Sequence, residues 1–337
     1  MCIAVDAMGG DFAPRVPVEG ACLAARSLGV SITLVGKASL IRKELERIQP
    51  APPDEKVSLV DTPEWIEMGE SPATALRTKK SASVLLAAGL AAKGKAQAMV
   101  SAGNSGAAMV AAMRKMRTLP GVERPAIAIV MPNKTGQTIF LDAGATVDCR
   151  PQNLLQFAHM GVAYALCRLG VEKPRVGLLG IGEEPTKGNS LTREAHQLLR
   201  KSGLNFVGNV EPNEMMEGVA DVVVCDGFVG NIALKTMEGF AEFALQVFAG
   251  QFGSEEGASA EMQPHIEAAK RHIDWAEYGG ALLLGVNGLC VISHGRSTPT
   301  AIARAIQLGK EASEKQVITS LSRHLLPLQG EVPAGKK

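Results

Sequence analysis

The chain has 337 residues, 46% of them hydrophobic and 20% charged, enough apolar material for a sizeable buried core. Its 35 Lys and Arg against 34 Asp and Glu leave a formal net charge of +1, so no long-range field gathers nucleic acid or an anionic membrane, and an anionic partner must be held by local clusters. The six cysteines, Cys2, Cys22, Cys149, Cys167, Cys225 and Cys290, form no CxxC pair, which points to a reduced, cytoplasmic protein without a structural zinc site.

Residues 3–5 open the chain as a short apolar strand, and Asp6 and Asp11 interrupt it before the apolar region of a signal peptide can develop. Further Val- and Ile-rich runs at 32–35, 57–60, 98–100, 127–130, 176–179 and 222–224 predict strands. Amphipathic stretches such as 40–48, 107–116, 191–201 and 232–248 predict helices between them. Residues 50–54 read as a loop. The stretch 96–113 carries no charge, but its middle, 101–106, is a cluster of turn formers whose backbone lipid cannot satisfy, so it is no membrane span. Two apolar runs within 126–144 flank Asn133-Lys134-Thr135-Gly136 and predict a β-hairpin. Residues 251–277 carry six acidic residues against Lys270 and Arg271 and read as an exposed excursion, and 329–337 as a disordered tail. The alternation predicts a three-layer α/β/α fold, doubly wound on a mostly parallel sheet, in a single domain over 1–328.

Four loops rich in Gly, Asn, Asp and Ser follow predicted strands: 6–11, 101–106, 182–190 and 226–231. In an open parallel sheet such loops are expected together at the carboxyl edge, where ligands bind, and the helix amino termini behind them suit phosphate. Ser190 is the expected N-cap of the helix after the third loop. Two familiar phosphate machines are excluded. No GxxxxGK[ST] string occurs, and Gly180 and Gly182 are followed by Pro185 rather than a third Gly. The six histidines show no HExxH spacing, so neither a metal nor another cofactor is expected.

The strings AVDAMGGD at 4–11, SAGNSGA at 101–107, LDAGAT at 141–146, GEEPTKGN at 182–189, DVVVCDGFVGN at 221–231, EYGGALLLGVNG at 277–288 and SHGRS at 293–297 resemble, in order and spacing, the PlsX-type phosphate acyltransferase family. Ser105 and Thr146 stand where that family usually has Thr and Asn. The resemblance implies a homodimer with a fold akin to isopropylmalate dehydrogenase and phosphotransacetylase. It also implies transfer of a fatty acyl group from acyl carrier protein thioester to inorganic phosphate, giving acyl phosphate for glycerol 3-phosphate acyltransferase in phospholipid synthesis. A phosphate acetyl- or butyryltransferase using a coenzyme A thioester is the alternative.

Phosphate is already an anionic nucleophile, so its attack on a thioester needs positioning and charge stabilisation more than a strong base. Lys187 is the candidate to pair with phosphate or the developing oxyanion, as the resemblance also suggests, and Asn231 the candidate amide donor. Asp6, Asp142 and Asp226 lie at strand ends and are read as orienting groups, since three bare carboxylates would repel an anion. Gly9, Gly10, Ser101, Asn104, Ser105, Gly188, Asn189 and Gly230 complete the expected substrate-binding set. His294 is a structural or gating candidate, with proton donation to the thiolate as a further role. Two basic clusters, Arg77, Lys79, Lys80 and Arg114, Lys115, Arg117, are candidates to receive the acidic carrier protein. The 251–277 segment is poor in large apolar side chains, so any membrane contact there is weak and peripheral.

Overall fold

The structure, a computed structural model, describes residues 1–50, 54–251 and 279–326. The expected excursion beyond residue 251 and the expected tail therefore lie outside the described residues.

The first half lays down β1 (Cys2–Asp6), α1 (Arg15–Ser27), β2 (Ser31–Gly36), α2 (Ala38–Arg47), β3 (Val57–Asp61), α3 (Pro72–Thr78), α4 (Ser83–Ala92), β4 (Ala98–Ser101) and α5 (Ser105–Met116). The uncharged stretch 96–113 is thus broken into strand, turn and helix. Then come β5 (Ala126–Asn133) and β6 (Gly136–Leu141), which pair antiparallel across Lys134 and Thr135 as the expected hairpin. The second half adds α6 (Pro151–Leu169), β7 (Val176–Leu179), α7 (Ser190–Lys201), β8 (Phe206–Val210), α8 (Pro212–Glu217), β9 (Val222–Val224) and α9 (Gly227–Gln251). The chain returns through β10 (Ala281–Leu284), β11 (Leu289–Ile292), α10 (Pro299–Glu314) and α11 (Val317–Leu325). Strands β8, β10 and β11 lie outside the runs read from the sequence.

The eleven strands among the described residues form one sheet, ordered β3-β2-β1-β4-β11-β10-β5-β6-β9-β7-β8. Side-chain alternation divides the core between its two faces. Ile3, Val5, Val100, Leu141 and Leu282 join α1, α6, α7, α10 and α11 on one side. Ala4, Met99, Phe140 and Leu283 join α3, α4, α5, α8 and Leu234 of α9 on the other. Each strand residue buried on both faces explains why these strands read as continuous apolar runs.

Strand direction reverses three times in the middle of the sheet. β11–β10, β10–β5 and β5–β6 are three antiparallel pairings in succession, an odd number. β6, β9, β7 and β8 therefore run opposite to β1, β2, β3, β4 and β11. This corrects the expectation that all four loops share one carboxyl edge. They fall into two groups, one at each edge, because the hairpin and the returning β10 reverse the chain.

Candidate functional site

β1, β4 and β11 are parallel neighbours, so the segments 7–11, 102–106 and 293–297 leave the same edge. Between them sits the Asp6 carboxylate, 4% exposed, which accepts from Ser101 Oγ at 2.8 Å and from the Met8 N–H at 3.3 Å. Burial pushes its carboxyl up from 3.8 against the pull of the hydroxyls of Ser83 and Ser101 and the Met8 N–H. Gly9 meets Gly103 backbone to backbone: a Cβ on it would lie 2.7 Å from Gly103 N. The Asp11 N–H, just past Gly10, reaches Gly295 O at 2.9 Å and ties the first loop to the SHGRS loop. Asn104 caps α5, its Oδ1 accepting from the Ala107 N–H at 3.1 Å while Nδ2 donates to Met68 O at 2.9 Å. Exposed Ser105 begins the helix.

His294 is half-buried, and its Nδ1 accepts from the Arg296 N–H at 3.1 Å, so the neutral ring carries its proton on Nε2. Burial first, then the positive charge of Lys235, holds its pKa below the ordinary histidine value.

At the opposite edge β6, β9 and β7 are parallel neighbours and send out segments 142–146, 225–231 and 180–190. Asp142 organises the first of these. Its Oδ1 accepts from the N–H groups of Ile127 (2.8 Å), Gly144 (3.1 Å) and Ala145 (2.9 Å), and its Oδ2 from that of Thr146 (2.6 Å). The side chain is fully buried, so it holds the loop rather than meeting a substrate. Burial pushes its carboxyl up to about 6 although the four N–H groups pull it down. The stability linked to its neutral form is therefore complete below the ordinary 3.8 and is lost as pH rises through about 6.

Against this loop lies the first turn of α9. A Cβ on Gly230 would stand 1.9 Å from Asp142 O, and one on Gly227 would stand 2.7 Å from Thr146 O, so only glycine admits the contact. Asp226 caps the helix, its Oδ1 accepting from the Phe228 and Val229 N–H groups at 3.0 Å each. Asn231 is thus inside α9, one turn past the cap, exposed and standing over Gly144.

In the third loop Lys187 is exposed and has no ion pair among the described residues. Gly188 takes a φ of +101°, and the Arg193 guanidinium donates to its carbonyl at 2.7 Å. Asn189, not Ser190, is the N-cap of α7: its Oδ1 accepts from the Thr192 N–H at 2.9 Å, and Ser190 is the first helical residue. From β8, Asn209 donates to Glu184 O at 2.9 Å and fixes the other end of the loop.

The two edges communicate through α9. Asn231 begins its second turn, and the two largest charge effects on His294 come from Lys235 and Glu238 of the same helix, with Arg296 and Asp11 adding smaller ones. Four residues of helix separate Asn231 from Lys235, about 6 Å along the axis. Ser83, Gly144, Arg193 and Asn209 complete the arrangement; of these only Gly144 fell inside a recognised string.

Four of the six thiols are held in their protonated form. Burial pushes Cys22 up to about 11, Cys149 and Cys290 up to about 12, and Cys225 well above its ordinary value. Among the described residues no group of three His, Cys, Asp or Glu side chains can hold a metal.

Residues 1–320 match the family described as "Fatty acid synthesis protein". A phosphate acyltransferase of Pelotomaculum thermopropionicum is 47% identical over 324 residues, covering 95% of this chain and 94% of its own. The chain belongs to the phosphate acyltransferase family. In fold this acyltransferase is similar to a phosphotransacetylase from Streptococcus pyogenes (TM-score 0.62, 17% identity, 95% of this chain and 94% of that one). It is also similar to a 4-hydroxythreonine-4-phosphate dehydrogenase of Salmonella typhimurium described as putative in activity (TM-score 0.52, 14% identity, 92% and 99%). The acyltransferase thus shares the mixed, mostly parallel α/β/α architecture of that group.

Proposed function

We propose that the chain moves a fatty acyl group from the thioester of acyl carrier protein to inorganic phosphate, releasing acyl phosphate for glycerol 3-phosphate acylation. The observation that carries the reading is the edge formed by β6, β9 and β7. There an exposed lysine, an exposed amide and the amino termini of α7 and α9 adjoin the 142–146 and 225–231 segments, whose carboxylates Asp142 and Asp226 are committed to backbone N–H groups, while Glu183 and Glu184 stand exposed in the lysine's own loop. Such an edge offers positive charge and donors to an anion.

In the reaction a phosphate oxygen attacks the thioester carbonyl carbon. The new C–O bond forms as the C–S bond breaks, and the departing thiolate takes up the proton that hydrogen phosphate gives up. The Lys187 ammonium neutralises phosphate charge during approach, and the Asn231 Nδ2–H donates to the carbonyl oxygen as it becomes an oxyanion. Asp142 and Asp226 position the backbone beneath them. The Asp6–Ser101–Gly103 edge, with His294, receives the thioester side of the donor across α9. The protein works in the cytoplasm as a homodimer, with no more than weak peripheral membrane contact; among the described residues no helix is long and apolar enough to cross a membrane.

Trapping of acyl phosphate with hydroxylamine tests the reading. Product is expected with phosphate and acyl carrier protein thioester, and much less with acetyl or butyryl coenzyme A. The reverse preference would install the coenzyme A reading in its place.

A further inference from the structure

On the outer face of α4 the fold leaves a cavity of about 310 Å³ whose floor includes Leu85, Leu86 and Leu90 and whose rim carries Lys93, Lys95 and Lys115. No carboxylate lines it. None of the three lysines forms an ion pair among the described residues. The basic residues singled out in the sequence are otherwise engaged in part: Lys79 pairs with Glu70 and donates to Trp65 O at 2.8 Å, and Arg114 donates to Leu76 O at 2.9 Å.

Gly89 supplies an independent observation. It sits inside α4, where glycine costs about 0.5–1 kcal/mol relative to alanine. Elsewhere on this face a glycine makes room for a neighbour, as Gly106 does for Pro72, but a Cβ at Gly89 would meet nothing within 4 Å. Nothing among the described residues accounts for it; an outside group approaching the helix backbone would.

We infer that this groove is the docking site for an acidic helix of the acyl donor protein, which sets an apolar side chain on the leucine floor and its carboxylates against the three lysines. The inference rests on the carrier-protein reading above. Charge and shape select the occupant. A lipid surface takes up a protruding apolar face, whereas this floor is recessed beneath charged rims. A single-stranded nucleic acid needs aromatic platforms, and no aromatic side chain lines the groove. The helix α5 gives the scale: it begins at Ser105 in the Asp6–Ser101 loop cluster and has Lys115 in its last turn, about 15 Å away. A donor docked at the groove therefore presents its thioester from a fixed distance along one helix.

The test uses the full chain and two donors with the same acyl group, the thioester of acyl carrier protein and that of free pantetheine, with hydroxylamine trapping as readout. The triple variant Lys93→Glu, Lys95→Glu, Lys115→Glu and the single variant Gly89→Leu are each compared with wild type. KM for the carrier-protein donor is expected to rise about tenfold or more in the triple variant, with kcat, the pantetheine kinetics and the melting temperature unchanged. Gly89→Leu, which fills the groove without touching charge, should raise the same KM alone, and it decides the matter if the triple variant fails to fold. Wild-type KM for the carrier-protein donor in a folded variant overturns the groove while leaving the carrier-protein reading intact. A wild-type enzyme that turns over the pantetheine thioester but not the carrier-protein thioester overturns both.

Discussion

The polar side chains of this enzyme divide into those used up by the fold and those left exposed at the sheet edge. Lys187 and Asn231, proposed to meet the substrate, belong to the second kind. Lys187→Ala and Asn231→Ala should each lower kcat by roughly 10²- to 10³-fold, the range for a lost oxyanion donor. The double variant should lose less than the product if both act on one charge, and steady-state kinetics with circular dichroism will read this. Asp142 belongs to the first kind. In Asp142→Asn the amide nitrogen would face the Thr146 N–H, donor against donor, so denaturant unfolding should register a loss of about 1–3 kcal/mol. His294 should titrate below 6.5 by NMR, and Lys235→Ala should move it upward, because a positive neighbour that disfavours the imidazolium is gone. The ring's contribution to stability is present above its unfolded value and is lost as pH falls through the lowered folded one.

At the scale of elements, glycine separates contact from vacancy. Gly230→Ala drives a methyl into the Asp142 carbonyl and should lift the start of α9 from the loop, with a large drop in melting temperature. Gly89→Ala meets open space and should stabilise by about 0.4–1 kcal/mol. The sequence announced such loops because Gly, Asn and Asp cluster where a strand hands over to a helix, and Val222–Val224 and Val176–Leu179 were legible as strands because both their faces are buried. β8 was not, since Gly208 and Asn209 interrupt its apolar pattern. β10 and β11 are four residues each and are set among glycines. Nor could the loops' division between two edges be read, because direction is fixed by partners such as β10 and β5, some 150 residues apart in the chain. The Asp142 hub was hidden too, because one of its four donors, Ile127, comes from β5, the first strand of the hairpin.

For the whole molecule, α9 presents Phe240 and Phe243 to the surface, 69% and 60% exposed, on the helix that carries Asn231. Single apolar side chains at a surface are ordinary, but two aromatic rings one turn apart are what a subunit contact covers. Sedimentation should find a dimer, and Phe240→Glu with Phe243→Glu should shift it toward monomer if the contact runs along this helix.

The place of β11 in the sheet also bears on how the protein is made. β4 pairs with β1 on one side and β11 on the other, and α1 packs against α10, where Gly20 admits Ile302. While the chain emerges from the ribosome, β4 is complete almost 190 residues before its second neighbour is synthesised. Through that interval its edge offers unsatisfied N–H and C=O groups to any passing strand. Pairings so distant are slow to close, and exposed edges invite aggregation meanwhile. A chain stopped before residue 289 should therefore collect in the insoluble fraction even though β1 to β4 are intact.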